Sequence, residues 1–319
     1  MENIAVLSHN ADMDGVGAAA MVKMKYGLDS GRLFFSSYGK ESVLYAEKLL
    51  RKFYSNGFTL FITDLSMNEQ MIATWIQIIK KIKARGGRVI WFDHHPWGKN
   101  GIAKVARLCD IAIVGENERY CATEIARREL SLDTPFIDEF CRIVHHSDFN
   151  LRPRDRRSRQ IIKEYALSIT SFTKTGTDAS IQKKLRHMAV VIGNRRFTDQ
   201  MIEKASAAFE RKNNMRIEKM LKGLHLVGKS MAIGFASGVQ STHACSEIIR
   251  KSGRDIGVIF DLKTGKGSIR SVKSDISALA VMLHGGGHPH AAGFEIRRVS
   301  AQRKIVERIA SSAAKLQIA

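Results

Sequence analysis

Cysteine is scarce in this chain. The four present, Cys109, Cys121, Cys141 and Cys245, lie far apart with no C-x-x-C pair among them. Isolated thiols exclude a disulfide frame and a thiolate zinc site, and read as reduced core residues. Long apolar runs are missing too: no uninterrupted stretch approaches the roughly 20 residues that a membrane-spanning helix needs. The first residues, Met1-Glu2-Asn3-Ile4, show no basic segment followed by an apolar one, so no secretory leader is expected. These absences point to a soluble cytoplasmic protein with no membrane partner. Acidic residues are the third shortage. Against 51 Lys and Arg there are 31 Asp and Glu in 319 residues, a net charge of +20, with a pI near 10.0. Such a surplus implies a polyanionic partner, nucleic acid or a multiply phosphorylated small molecule, with a halo of solvated lysines as the bland alternative.

What is present is ordinary in bulk and unusual in placement. Hydrophobic content of 44% and charged content of 26% suit a globular protein, and the length suits two domains. Ile4-Ala5-Val6-Leu7 is an apolar strand running into Ser8-His9-Asn10-Ala11-Asp12-Met13-Asp14-Gly15. A helix follows from about Val16 to Tyr26. The next strand is Leu33-Phe34-Phe35-Ser36, with a helix over Ser42 to Phe53. Thr59-Leu60-Phe61-Ile62-Thr63 then stops at Asp64, and Ser66 or Asn68 caps a helix over Glu69 to Ala84. Arg88-Val89-Ile90-Trp91-Phe92 stops at Asp93-His94-His95-Pro96. Strands alternating with helices predict βαβ units and a parallel sheet, whose carboxyl strand ends line one crevice. His9, Asp12, Asp14, Asp64, Asp93, His94 and His95 share that crevice on this reading. Any one of them has a plain explanation as a cap or turn residue; three strand ends repeating the pattern do not. Side chains alternate along a strand, so one of His94 and His95 can ligate a metal while the other reaches a substrate. Gly15-Val16-Gly17-Ala18-Ala19-Ala20 also fits a dinucleotide-binding G-x-G-x-x-A. The glycines come too late after the strand, and the carboxylates before them repel a pyrophosphate and suit a cation.

Further along, Ile111-Ala112-Ile113-Val114 is a strand, and Cys121 to Leu130 and Pro135 to Val144 are helical. The second helix runs out at His145-His146-Ser147-Asp148. Asp148 is a candidate for a final carboxylate, and His145 and His146 are assigned to the surface or to supporting roles. Arg152 to Arg159 packs five arginines into eight residues, either a solvated helix face or a surface tracking a phosphate backbone. Long helices follow over Ile161 to Phe172, Ala179 to Ile192 and Phe197 to Leu221. A second α/β unit opens near Leu224. It holds a strand at Met231 to Phe235, a helix over Thr242 to Lys251 and a strand pair at Ile256–Phe260 and Gly267–Ser271. Beyond a helix near Ile276 to Leu283 comes His284-Gly285-Gly286-Gly287-His288. Consecutive glycines let backbone approach an anion closely, and His288 adds a donor. A strand from Phe294 to Arg297 and a terminal helix close the chain.

With these residues in order, the chain resembles the DHH phosphoesterase family with its C-terminal DHH-associated domain. The likeness rests on His9-x-x-Asp12-x-Asp14-Gly15, Asp64, Asp93-His94-His95, Asp148, and Gly285-Gly286-Gly287-His288 with Ala291-Ala292-Gly293-Phe294. It spans nearly the whole chain. The spacing between His9 and Asp12 is one residue shorter than in many relatives and resembles the branch of the nanoRNases. The resemblance implies a DHH catalytic domain over residues 1–150 built on a parallel sheet. A basic helical connector over 151–223 and a smaller mixed-sheet α/β domain over 224–319 follow, with an active-site cleft between the lobes. It implies two Mn²⁺ ions, with Mg²⁺ or Co²⁺ as substitutes. Asp64 bridges them, His9 and Asp12 complete one site, and Asp14, His94 and Asp148 complete the other. Asp93 orients His94, and His95 faces the scissile phosphate. Arg270, Gly285, Gly286, Gly287 and His288 hold a substrate phosphate. The expected activity is exonuclease-like phosphodiester hydrolysis of short single-stranded oligonucleotides to mononucleotides by metal-activated water. A cyclic dinucleotide or 3′-phosphoadenosine 5′-phosphate is the alternative substrate, and a non-catalytic nucleic-acid-binding protein is the reading from another class. A homodimer stays open.

Overall fold

A computed structural model describes residues 3–53, 57–67, 69–115, 119–296 and 301–318. The chain divides into two compact units, Met1–Ser206 and Ala207–Ala319. The first opens with β1 (Ile4–His9), α1 (Met13–Tyr26), β2 (Leu33–Ser36), α2 (Lys40–Lys52), β3 (Thr59–Thr63), α3 (Ile72–Lys83), β4 (Arg88–Asp93), α4 (Lys99–Lys104) and β5 (Ile111–Val114). The five strands form one sheet in the order β2-β1-β3-β4-β5, and every pairing is parallel. The chain starts in the middle, steps out to β2 and returns to β3. The carboxyl ends of β1 and β3 therefore flank the point where strand order reverses, the place where open α/β sheets leave a crevice.

The strands are buried on both faces, as expected where helices cover both sides of a parallel sheet. Ile4, Val6, Phe35, Phe61 and Phe92 point to one core, and their neighbours Ala5, Leu7, Phe34, Leu60 and Trp91 point to the other. α2 and α3 cover the second face through Ala46, Leu49, Ile78 and Ile82. The first face belongs to α1, α5 (Ala122–Glu129), α6 (Pro135–Asp148), α7 (Arg156–Thr175) and α8 (Asp178–Gly193). α1 is buried from Met13 to Val22 and is rich in small residues. A Cβ on Gly17 would lie 2.5 Å from Thr123 Oγ1 on α5, and one on Gly15 would overlap the His9 carbonyl. Close packing therefore accounts for the G-x-G of the α1 start. Of the residues assigned to a connector, 151–223, those of α7 and α8 contribute Tyr165, Ile169, Leu185 and Met188 to this same core. α9 (Gln200–Met220) crosses the boundary between the units.

The second unit adds β6 (His225–Val227), β7 (Met231–Phe235), α10 (Ser241–Ser252), β8 (Ile256–Asp261), β9 (Lys266–Ser271), α11 (Ser277–Met282), β10 (Gly286–His288), β11 (Ala291–Glu295) and α12 (Gln302–Lys315). Its six-stranded sheet runs β10-β11-β9-β8-β7-β6. Only β7 and β8 pair in parallel, so the sheet is mixed, in line with the fold class read from the sequence. Two expected positions, the helix-capping Asn68 and the strand residue Arg297, lie outside the described residues. Among the described residues, no helix is long and apolar enough to cross a membrane.

One side chain stands where a sixth strand of the first sheet would pair. Gln182, buried on α8, accepts from Phe35 N at 2.9 Å and donates to the Phe35 carbonyl, closing the open edge of β2. Gln182→Leu would leave both backbone groups buried without partners, a cost of about 2–4 kcal/mol. Urea unfolding should report that loss with an unchanged slope; a loss below about 0.5 kcal/mol would show that solvent replaces the amide.

Candidate metal centre

Five elements, β1, α1, β3, β4 and α6, deliver acidic or imidazole groups to the crevice at the carboxyl ends of β1 and β3. β1 ends in His9, and Asp12 caps α1 by accepting from Gly15 N at 3.0 Å. Asp14 lies at the start of α1, fully buried, with Oδ1 accepting from Thr123 N at 2.7 Å and Oδ2 from Ala122 N at 2.8 Å. It thus sits at the amino end of α5, where backbone N–H groups favour a carboxylate. Asp64 follows β3 in a left-handed conformation, φ 53°, uncommon for a non-glycine residue. Its own N–H donates to the Phe92 carbonyl at 2.9 Å, which ties this turn to β4.

The carboxylates converge on His94. Its Nε2 lies 3.4 Å from Asp148 Oδ2, 3.7 Å from Asp64 Oδ1 and 3.8 Å from Asp14 Oδ2. Both Asp64 oxygens and Asp148 Oδ2 are buried with no hydrogen-bond partner among the described residues. Burial, followed by repulsion from Asp12, Asp14 and Asp148, pushes Asp64 well above the usual carboxylate range. Burial and Asp12 lift Asp14 to about 6, and burial and Asp14 raise Asp148. A buried carboxylate without a partner is costly, and its remedies are protonation or a cation. Ligand atoms of Asp14, Asp64 and His94 lie within 4.8 Å of one another, as do those of Asp64, Asp93 and His95. Oxygen-rich sites with one imidazole suit Mn²⁺, Mg²⁺ or Co²⁺ over thiol-seeking metals. The residues therefore fit a divalent cation. His9 stands beside this group with Nε2 3.6 Å from Asp12 Oδ2, and burial lowers its pKa, favouring the neutral, ligating form.

The expected partner of Asp93 needs correction. Its Oδ1 pairs with His95 Nδ1 at 2.8 Å and its Oδ2 accepts from Trp97 Nε1 at 2.6 Å, so it orients His95 rather than His94. The chain leaves β4 after Asp93 and bends at His95, which brings both imidazoles to within 3.7 Å of Asp64 Oδ1, with ring centroids 4.2 Å apart. Burial opposes charge on both partners, yet the pairing prevails. Asp93 stays below its usual range and His95 rises to about 9. His95 is thus a cation beside a cluster of surplus negative charge.

Three supporting residues escaped the sequence. Tyr38 stacks on His9 with centroids 4.0 Å apart, and its hydroxyl lies 3.3 Å from His95 Nε2. It stands just beyond β2, another strand end at the same edge, which was the available signal. Thr123 meets Asp14 only through the tertiary fold, while Trp97 reaches Asp93 four residues back along the chain. His145, bonded to Glu124 at 2.8 Å, and His146, bonded to the Arg142 carbonyl at 2.6 Å, stand outside the candidate ligand groups.

The remaining predicted residues belong to the second unit. Arg270 on β9 donates to the Ile269 carbonyl at 2.9 Å and to Thr242 Oγ1 at 3.1 Å, with Nε buried and without a partner among the described residues. The glycines divide by role. A Cβ on Gly285 would overlap the Gly293 carbonyl, and Gly287, at φ 145°, would place one 2.5 Å from the Ala291 carbonyl. Gly285 N–H is already bonded to the Ala280 carbonyl at 2.8 Å, which removes it as an anion donor. Gly286 alone has open space where a Cβ would stand. His288 ends β10, opposite Ala291.

Residues 230–315 match the DHHA1 domain family. No curated protein matches the chain. Among solved structures, RecJ of Thermus thermophilus in complex with Mn²⁺ shares 15% identity at TM-score 0.57, over 98% of this chain and 52% of that one. The chain thus spans about half the length of that protein. An exopolyphosphatase-related protein of Bacteroides fragilis shares 15% identity at TM-score 0.52, covering 99% and 92% of the two chains. PggH of Vibrio cholerae, a pGpG-specific phosphodiesterase, shares 11% identity at TM-score 0.52, covering 97% and 99%. Likeness at these identities establishes a common fold.

The acid cluster sets the sign of a pH effect. Asp64 in the fold has a pKa well above 3.8, so above that value the folded chain retains a proton that the unfolded chain has lost. The stability conferred is full below about 3.8 and is lost as pH rises through the folded value. Asp64→Asn imitates the protonated group. In chelator it should melt above the native chain at about pH 8, by a margin that shrinks toward about pH 4. Mn²⁺ should raise the Tm of the native chain and leave that of the variant nearly unchanged. A margin independent of pH, or equal stabilisation of both by metal, would contradict the arrangement.

Proposed function

On the premise that this chain is a DHH-family protein ending in a DHHA1 domain, we propose that it is a divalent-metal-dependent phosphodiesterase. Its proposed substrate is a short single-stranded oligonucleotide, hydrolysed to mononucleotides. The observation that carries this is the buried Asp14–Asp64–Asp148–His94 cluster, whose Asp64 oxygens lack hydrogen-bond partners among the described residues. Such a cluster has the donors that a cation site needs, and its fold is shared with a pGpG-specific phosphodiesterase.

In this proposal Asp64 serves two Mn²⁺ ions, His9 and Asp12 one of them, and Asp14, His94 and Asp148 the other, with Mg²⁺ or Co²⁺ able to substitute. Bound there, the ions supply the Lewis acidity that activates water and offsets charge on phosphorus. The chain does the rest. Asp93 and Trp97 fix His95, and the Asp93 carboxylate keeps it protonated at neutral pH. Its Nε2, 3.3 Å from the Tyr38 hydroxyl, faces away from Asp93 and donates to a phosphoryl oxygen. Arg270, Gly286 and His288 are assigned to a second phosphate of the substrate. Gly285 and Gly287 keep their place there by allowing β10 to pair closely with β11.

The net charge of +20 favours an oligonucleotide over a neutral substrate. Solved proteins of this fold include a pGpG-specific phosphodiesterase and RecJ, which agrees with a nucleotide phosphodiester. The non-catalytic reading fares poorly because every expected ligand residue is present.

Incubation with Mn²⁺ and an oligonucleotide series, cyclic di-AMP, 3′-phosphoadenosine 5′-phosphate and polyphosphate separates the candidates. Mononucleotide release from the short oligomers is expected. Asp64→Ala should abolish turnover, and His95→Ala should lower kcat about 10²-fold or more. Arg270→Ala should raise KM with kcat little changed. Absence of hydrolysis of every compound, with Mn²⁺ bound, would overturn the enzyme reading; activity confined to another member of the set would replace the substrate.

A further inference from the structure

On the far side of α6 from Asp148 the first unit has an open groove of about 970 Å³ that the proposed chemistry does not use. Its walls come from the start of α6, the start of α7 and the loop joining α8 to α9. Nine residues separate Glu139, on the groove, from Asp148, and at 1.5 Å per residue that is about 14 Å of helix. The floor is aromatic: Phe136 and Phe197 lie with centroids 4.8 Å apart. Arg157 covers Phe197 at 4.8 Å and pairs with Glu139 at 3.3 Å.

The charges around this floor are unevenly satisfied. Each acid has a neighbour: Glu139 has Arg157, Glu164 accepts from Gln160 at 2.7 Å, and Glu203 accepts from Thr198 at 3.3 Å. Arg156, Arg195 and Arg196 are exposed and hold no side-chain hydrogen bond or ion pair among the described residues. They come from two segments about 40 residues apart in sequence, brought together by the packing of α7 against α8. Arg195 is held in the left-handed region, φ 57°, by a loop whose N–H groups at Arg195 and Arg196 bond the Ile192 and Val191 carbonyls. Three guanidiniums without anionic partners, ringed around an aromatic floor, form a surface complementary to a phosphodiester backbone with bases beside it.

We propose that this groove binds single-stranded nucleic acid, holding the part of an oligonucleotide that extends beyond the metal centre. The proposal rests on the oligonucleotide reading above and adds a length dependence to it. A substrate too short to reach the groove gains nothing from Arg156, Arg195 and Arg196. A longer strand gains phosphate contacts there, and its affinity becomes salt-dependent through them.

The test is fluorescence anisotropy in chelator with a labelled single strand of about twelve nucleotides, within the range of single-strand site sizes. It compares the native chain with the Arg156→Gln, Arg195→Gln, Arg196→Gln triple variant. The variant should bind at least tenfold more weakly, and the slope of log affinity against log salt should fall in magnitude by about 2, three contacts at roughly 0.7 each. Dinucleotide hydrolysis with Mn²⁺ should keep its kcat/KM. Native affinity and slope in the variant overturn the proposal, as does an equal loss on the dinucleotide, which would place these arginines at the metal centre. Should the triple variant fail to fold, Arg195→Gln with Arg196→Gln alters only the exposed loop and should lose about two thirds of the slope change. Binding by the groove without any hydrolysis would leave this inference standing while the enzymatic reading falls; hydrolysis of dinucleotides without groove binding would do the reverse.

Discussion

Three carboxylates and an imidazole drawn into one buried volume govern how the first unit is built. Asp14, Asp64 and Asp148 come from α1, the end of β3 and the end of α6, and each lies within 3.8 Å of His94 Nε2. Bringing like charges together out of water costs several kcal/mol per ion. The surrounding packing has to hold that arrangement in place. α1 does so through the glycines and alanines between Gly15 and Ala20 on its buried side, so that α5 comes close enough for its backbone N–H groups to reach Asp14. Gly15 lets α1 begin against the His9 backbone, and Asp64 accepts a left-handed conformation to aim its carboxylate inward. These two local conflicts lie at one sheet edge, a place where functional strain is expected.

Beside that cluster the same strand end sets up the opposite electrostatics. Asp93 and His95 form a balanced pair at 2.8 Å, closed by Trp97, while His94 between them turns toward the acids. Three consecutive residues therefore serve two chemistries: Asp93 holds His95, and His94 meets the acids. A lone positive imidazole in water titrates near neutrality. Here the carboxylate at its back keeps it charged, and the hydroxyl of Tyr38 at its front marks the direction in which it donates.

The strand ends are legible because their signal is local. An apolar run that stops at a carboxylate or a histidine can be read from sequence alone, and a parallel sheet places such stops side by side. That is how His9, Asp12, Asp14, Asp64, Asp93, His94 and His95 come to one crevice from sequence. Asp148 is harder, since an aspartate at a helix end is usually a turn residue; only the tertiary fold brings it to His94. Thr123 and Tyr38 are invisible for the same reason, as their partners lie on other elements; Trp97 is only four residues from Asp93, but an indole in a loop carries no sign of a polar partner. Adjacency in sequence pairs Asp93 with His94, whereas the bend after β4 brings it His95. α7 and α8 look like a separate connector from their charge, yet one stripe of each is apolar and packs against the first core. In the second unit β6 and β10 are three residues each, too short for a period to show, and the glycines before His288 serve strand pairing at Gly285 and Gly287.

The distribution of charge carries one last consequence. The chain bears a net +20, yet its most buried polar cluster is acidic. Exposed arginines raise the local concentration of polyanions, an effect that reaches about a Debye length, roughly 8 Å at physiological salt. The acid cluster does the reverse at contact distance. On the function proposed here, a phosphodiester drawn to the surface meets repulsion at whichever of Asp12, Asp14, Asp64 and Asp148 are ionised until cations neutralise them. Cations and substrate are then coupled through the same carboxylates: each divalent ion bound converts a site that excludes phosphate into one that accepts it. By reciprocity, bound phosphate strengthens the hold on the ions. Exclusion of anions from the metal-free centre is therefore built into the residues that would hold the metal, and needs no moving part.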